Sequence, residues 1–245
     1  MTNFKGETHA ELVSTQLLLK ERLAVDPDLP NGYFVMADVQ SAGRGRSDHS
    51  WISIQGNLHV SILIRELPFP EITWIPHWVS VCLFKALIDL GINDSLIQLK
   101  WPNDLWVERK RKIAGILCEK KGESVIVGIG LNLVDASSDG LNTKFSSTNY
   151  GFVPLLKPAE VLEKLQNQLS ILISVSVIRE FYEKYSLFRP GEMIEWCEHP
   201  SGLMQGGVVI GIGIHGELLI DKGGKTVTLF TEDVRLVRSN PNSEL

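Results

Sequence analysis

The chain is predicted to form an α+β domain built on a mixed or antiparallel sheet with helices, followed by a small β-barrel module. Three observations predict it. Strand-length runs and helical patterns are interspersed without regular βαβ alternation. Leu58, Val60, Ile62 and Ile64 alternate with His59, Ser61 and Leu63, a period-two strand with one mainly apolar side. From Arg189-Pro190-Gly191 onward the texture changes to short strand runs punctuated by glycine.

Taken in order, His9 to Val13 can form a short strand, and Ser14 then stands as the N-cap of a helix burying Leu18, Leu19 and Leu23. Tyr33 to Val39 is a nearly continuous apolar run, read as a strand covered on both faces that delivers Gln40 to a glycine-arginine loop. Pro76 opens a helix through about Leu90 and Gly91 closes it; Trp78, Val81, Cys82 and Leu83 fall at core spacing. Ile97 to Lys100 reads as a strand ending at Trp101-Pro102, with Asn103 and Asp104 in a turn because proline cannot donate to a ladder. Leu105 to Val107 and Lys112 to Glu119 form a hairpin around a basic tip, and Ser124 to Leu133 a further strand. Ser137 to Asn149 is a polar surface loop, followed by helices over Pro158 to Ile173 and Val177 to about Leu187. The last strands are Glu192 to Trp196, Gly207 to Ile212, Glu217 to Ile220 and Thr226 to Phe230, which divides the chain into domains 1–188 and 189–245. Gly211 to Gly216 matches G-x-G-x-x-G, yet strand-like residues follow where a dinucleotide site needs a helix, so these glycines are read as a hairpin turn.

With 245 residues, 44% hydrophobic and 22% charged, the chain can bury one substantial core plus a small second module. Cys82, Cys118 and Cys197 are too few and scattered for a disulfide framework or a zinc site, which suits a reduced cytosol. Neither a signal peptide nor a spanning helix is visible, so the expectation is a cytoplasmic protein without a membrane partner. A net charge of −5 argues against nucleic acid as the main partner.

Chemistry concentrates between Gln40 and Trp51. Gly43 and Gly45 let backbone N–H groups approach a ligand, Arg44 and Arg46 carry forks suited to phosphate or carboxylate, and Trp51 offers a stacking face. Alone, the stretch also fits a solvated turn; a distant cluster, Lys100-Trp101-Pro102-Asn103-Asp104 with Lys112-Ile113-Ala114-Gly115-Ile116, decides for a site. Together these stretches resemble the biotin protein ligase family, whose pattern is a Gly-Arg-Gly-Arg loop before Trp, then Lys-Trp-Pro-Asn-Asp, then Lys-x-Ala-Gly-Ile. Asn57-Leu58 and Gly128-Ile129-Gly130-Leu131-Asn132 add to the likeness, which spans nearly the whole chain.

The resemblance implies the fold related to class II aminoacyl-tRNA synthetases and lipoyl ligases, with an SH3-like carboxy-terminal domain. It implies an enzyme that forms biotinyl-5'-AMP from biotin, ATP and Mg²⁺ and passes biotin to a lysine of the biotin carboxyl carrier protein of a carboxylase. Arg46 and Arg44 would serve the phosphate and shape the loop, and Lys112 would stand where carboxylate and α-phosphate meet. Asp104 would orient that lysine or coordinate magnesium. Ser14, Thr15 and Gln40 would bind the polar end of biotin, Gly115 would leave room for its rings, Trp51 would stack near adenine and Asn132 would contact the nucleotide. Gln16 stands where the family has Asn in Ser-Thr-Asn, and Ser47-Asp48-His49-Ser50 replaces the family's further arginines. A less tightly held adenylate is expected, with His49 either partly substituting for the lost charge or solvated. The ligase motifs begin at Ser14, which leaves no room for a helix-turn-helix ahead of them. The alternatives are a lipoate or octanoate ligase of the same fold and a non-catalytic biotin or adenylate sensor; either a monomer or a homodimer is compatible.

Overall fold

The structure, a computed structural model, describes residues 4–46, 49–66, 69, 71–134, 156–198 and 202–237. The predicted loop at 137–149 and two residues of the glycine-arginine loop, Ser47 and Asp48, lie outside them. A seven-stranded mixed sheet has the order β1-β2-β5-β9-β8-β7-β6. Its strands are β1 (Gly6–Leu12), β2 (Phe34–Gln40), β5 (Leu58–Ile64), β6 (Ile97–Lys100), β7 (Asp104–Val107), β8 (Arg111–Lys121) and β9 (Ser124–Leu131). Within this sheet the β1–β2 pair is parallel and the other neighbours run antiparallel. The short pair β3 (Gly43–Arg44) and β4 (Ser50–Trp51) stands apart as a hairpin carrying the glycine-arginine loop.

The two faces of this sheet have different work. On one, Val60, Ile62, Val127 and Ile129 pack with α2 (Ile75–Asp89), α3 (Pro158–Leu169) and α4 (Val175–Tyr185) into the main core. On the other, Val35, Leu63 and Ile126 meet Leu19 of α1 (Thr15–Val25), a small cluster at one end only. On the rest of this second face, the rows through Ser61-Gly128 and His59-Gly130-Gly115, polar side chains of α1 and the Trp51 ring take the place of an aliphatic core.

The period-two reading of β5 holds, with Val60 and Ile62 toward the main core and His59 and Ser61 facing α1 and the loop hairpin, and all seven of its residues are buried. Several other expectations need correction. Asp104 is the first residue of β7, opposite Lys100, not a turn residue. Ser14 does occupy the N-cap of α1, but its hydroxyl makes no capping bond. The first strand starts at Gly6, α3 stops at Leu169 and α4 starts at Val175. Past Leu169 the apolar run splits, Leu172 standing 84% exposed while Ile173 packs against the core.

The carboxy-terminal strands form one five-stranded antiparallel sheet, β13-β12-β11-β10-β14, from β10 (Met193–Glu198), β11 (Leu203–Ile212), β12 (Leu218–Asp221), β13 (Thr226–Leu229) and β14 (Val234–Leu236). The strand β14 has no counterpart among the predicted elements; three residues are too short for a visible period. Gly213 N–H donates to Glu217 O at 2.8 Å, closing the β11–β12 hairpin, so Gly211 to Gly216 is the turn expected and no helix follows it. This sheet abuts the first: Trp74 Nε1 donates to Ile214 O (3.2 Å) and Trp101 Nε1 to Gly216 O (2.8 Å).

Candidate active site

A polar chain crosses the open face of the large sheet from the start of α1. Thr15 N donates to Gln40 Oε1 at 2.8 Å, and the Thr15 hydroxyl lies 3.1 Å from that oxygen and 2.9 Å from Ser61 Oγ. Ser61 Oγ donates to Gln16 Oε1 at 2.9 Å. Gln16 Nε2 donates to Glu119 Oε2 (2.8 Å) and to Ile126 O (3.1 Å), and Lys20 Nζ donates to Glu119 Oε1 (2.6 Å). Burial opposes a charge on Glu119, but the hydrogen bonds from Lys20 and Gln16 outweigh it and hold the carboxyl below its usual range; Arg44 adds to the pull.

The geometry depends on Gly128. A Cβ there would sit 2.7 Å from Gln16 Oε1, so a side chain at this position would push the amide from where it lies. Ser14, 3% exposed, sits beside this chain with its Oγ buried and without a partner among the described residues. An unpaired buried hydroxyl costs free energy, which makes Ser14 a candidate donor to a ligand.

The loop hairpin lies over the next row. Gly43 pairs with Trp51, and Gly45 N–H donates to His49 O at 2.7 Å. Trp51 comes to rest on two glycines: a Cβ on Gly130 would be 2.3 Å from its Cε2, and one on Gly115 3.1 Å from its Cζ3. Its Nε1 is buried and likewise without a partner among the described residues. Gln40, at the root of the loop, receives a hydrogen bond on its side chain and donates its N–H to Ser53 Oγ, which also contacts the His59 ring. Burial lowers the proton affinity of His59, which fits a neutral strand residue and not a base facing substrate.

Lys112 Nζ lies 2.7 Å from Asp104 Oδ1 and 5.8 Å from the Trp51 ring centre, above Gly115. A register shift between Leu105 and Trp106 accompanies this, putting Lys112 opposite Trp106 while Gly115 stays opposite Asp104. Arg46 is held one residue away: its Nη1 donates to Asn103 Oδ1 at 3.0 Å and its Nη2 to the carbonyl of Thr231, in the turn between β13 and β14. Arg46 and Lys112 are thus fastened to consecutive residues at the head of β7. Arg44 is exposed and stands on the Glu119 side. Asn132, 8% exposed, accepts from Asn57 Nδ2 at 3.3 Å, while Asn57 Oδ1 receives the N–H groups of Leu133 and Val134.

The structure therefore brings together Thr15, Gln16 and Gln40 in one network and Trp51, Asp104, Lys112 and Gly115 in another, with Arg46 beside the latter. Sequence reasoning missed Ser61, Glu119, Asn103 and Thr231 as members. Ser61 had a signal, a small polar residue on the second face of an apolar strand. Glu119 and Thr231 had none, because their roles arise from elements distant in the chain. Among the described residues no group of three or more His, Cys, Asp or Glu converges to hold a metal, and no helix is long and apolar enough to cross a membrane.

A family model described as the biotin/lipoate A/B protein ligase family matches residues 10–133. Biotin--[acetyl-CoA-carboxylase] ligase of Mycobacterium tuberculosis is 28% identical over 240 residues, covering 94% of this chain and 85% of that protein. The bifunctional ligase/repressor BirA of Bacillus subtilis is 33% identical over 139 residues, 54% of this chain, and the match spans only 41% of its length. The fold is similar to that of the biotin protein ligase from Aquifex aeolicus in complex with biotin and ATP, with a TM-score of 0.78, 23% identity, and coverage of 95% of this chain and 99% of that one.

Proposed function

The chain belongs to the biotin/lipoate A/B protein ligase family, and from that premise we propose that it is an ATP-dependent biotin protein ligase. It joins the biotin carboxylate to the α-phosphate of ATP, releasing pyrophosphate, and passes the biotinyl group to a lysine of a biotin carboxyl carrier protein.

The observation that carries biotin over lipoate is the direction of the hydrogen bonds at the end of α1. Gln16 Nε2 faces Ile126 O and Glu119 Oε2, both acceptors, so its Oε1 must face Ser61 and Ser61 must donate. The Thr15 hydroxyl then spends its proton on Ser61 or Gln40, and what it offers a ligand is a lone pair. The Ser14 hydroxyl, without a partner among the described residues, has a proton to give. An acceptor beside a donor suits the N–H and C=O of a ureido group. A dithiolane ring has neither and would leave the Ser14 hydroxyl unpaired and the Thr15 lone pair unused.

The first step brings two anions together, and like charges at ~4 Å repel by about 4 kcal/mol at an effective dielectric near 20. Lys112 stands where carboxylate and α-phosphate meet and stabilises the charge that develops on the phosphoryl oxygens. Asp104 fixes its ammonium. Arg46 takes the α-phosphate and retains the adenylate, Arg44 closes the loop over the acid, and Gly43 and Gly45 bring loop N–H groups close. Trp51 stacks near adenine and Asn132 lies toward the nucleotide. No covalent enzyme nucleophile is needed.

Magnesium fits only as an ion carried by the nucleotide phosphates with at most Asp104 as protein ligand, since Asp104 already pairs with Lys112. The ion would neutralise phosphate charge there. Residues 1–188 would be the catalytic domain, related to class II synthetases, and 189–245 an SH3-like module. The test is pyrophosphate exchange by purified protein with ATP and labelled biotin or lipoate: exchange with biotin is expected, and exchange with lipoate alone overturns the reading.

A further inference from the structure

Among the described residues, Glu119 is the charged group that touches the polar chain, and no part of the reaction above calls for it. It lies at the far end of β8, four residues beyond Gly115 and on the same face of the sheet. Both its oxygens are engaged, Oε2 by Gln16 Nε2 at 2.8 Å and Oε1 by Lys20 Nζ at 2.6 Å, and a side chain at Gly128 would push the Gln16 amide from where it lies.

We propose that Glu119 is a positioning residue for the acid substrate: by accepting from Gln16 it sets the direction of the chain Gln16–Ser61–Thr15 and so presents Thr15 as an acceptor to a ligand N–H. The inference rests on the biotin reading and deepens it. A carboxylate can only accept. Together with Ile126 O, which accepts from the same Nε2 at 3.1 Å, it leaves the amide of Gln16 one orientation, and each hydroxyl behind it has its proton committed. Glu119→Gln keeps the size and introduces a donor; the shorter of the two bonds that hold Gln16 Nε2 is weakened, leaving Ile126 O at 3.1 Å as its fixed acceptor. An amide that turns makes Ser61 receive instead of give and pass its own proton to Thr15, filling a lone pair that a ligand N–H would use. Glu119 lies four residues along β8 from Gly115, over which Lys112 stands, and shares no contact with the Lys112–Asp104 pair, so the nucleotide half of the site is left as it is. The length of the Gln16 side chain is what spans the distance to the carboxylate.

Steady-state pyrophosphate exchange with biotin and ATP on full-length wild type, Glu119→Gln, Gln16→Asn and the double variant tests this. For Glu119→Gln the biotin KM is expected to rise about tenfold, as for the loss of one buried hydrogen bond, with the ATP KM and kcat at saturating biotin within about twofold. The Gln16→Asn variant has an amide too short to reach the carboxylate, so adding Glu119→Gln to it is expected to change the biotin KM by less than about twofold. Equal rises in the biotin and ATP KM values, an unchanged biotin KM in Glu119→Gln, or full additivity in the double variant overturns the positioning role while leaving the biotin reading intact. Should Glu119→Gln fail to fold, a biotin KM for Gln16→Asn equal to wild type overturns it. Wild type that exchanges with lipoate and not with biotin overturns both.

Discussion

Lys112 Nζ lies 2.7 Å from Asp104 Oδ1 and 5.8 Å from the centre of the Trp51 ring, so one ammonium joins the head of β7 to the loop hairpin. Neither the loop nor the β7–β8 hairpin holds this arrangement alone. Lys112→Ala is expected to lower the rate of adenylate formation about 10²- to 10³-fold, the usual cost of removing one preorganised donor at a developing oxyanion. Biotin affinity, measured by calorimetry, should stay within about twofold, because the polar chain at α1 does not involve Lys112. Near-normal turnover in that variant removes the lysine from the mechanism.

Arg46 has two anchors, Asn103 Oδ1 and the Thr231 carbonyl. Asn103→Ala removes the first, and stopped-flow release of pre-formed biotinyl-5'-AMP should accelerate by about tenfold, the value of one charge-assisted hydrogen bond. Arg46→Ala should accelerate it further, and the double variant should match Arg46→Ala alone. A double variant clearly faster than Arg46→Ala means that Asn103 acts by some other route.

Gly130 lies under the indole of Trp51, and alanine there would put a methyl 2.3 Å from Cε2. The strand backbone accepts alanine, so any penalty comes from the ring above it. Gly130→Ala should cost about 1–3 kcal/mol of stability by chemical denaturation, as overpacking does. Adding Trp51→Ala should return most of that loss; a penalty that persists without the indole shows that the ring does not rest on this floor.

His77, wholly buried between α2 and the β11–β12 turn, has its pKa lowered by burial to about 4 from 6.5. The unfolded chain therefore takes up this proton first as pH falls, and the stability present above pH 6.5 is lost progressively down to about 4. At about 1.4 kcal/mol per unit this amounts to about 3 kcal/mol. Denaturant melts across that window should show the decline, and His77→Gln should flatten it. The exposed His215, raised by its hydrogen bond to Glu71, works in the opposite sense: its small contribution is present below the unfolded pKa and fades as pH climbs through the folded one.

How much was readable without coordinates follows from the range of each interaction. Helix α2 was legible at both ends because proline and glycine act locally, and Gly91 has the positive φ expected of a closing residue. The Gly-Arg-Gly-Arg and Lys-Trp-Pro-Asn-Asp stretches were legible because their residue types are rarely combined. What was not legible is non-local. The burial of His59 and Ser61 depends on α1 and the loop hairpin lying above them. The strand position of Asp104 rests on pairing with Lys100 across a tight turn as well as with Gly115 of β8, and the second of these is not visible locally. The use of Thr231 depends on a turn that meets the loop only once both sheets have formed.

The tryptophan bonds between the two sheets bear on cutting the chain. Trp74 and Trp101 are 2% and 1% exposed, and each indole N–H ends on a carbonyl of the β11–β12 turn. A fragment stopping before Met193 would remove Ile194, Trp196, Val209, Leu218 and Ile220 from the main core, expose two indole rings and strand their donors, while Arg46 would lose one of its moorings. Such a truncation should not yield a smaller working enzyme. Supplying the missing piece in trans as a separate polypeptide should restore both solubility and turnover, since what the first piece lacks is a surface to lean on and not a reactive group.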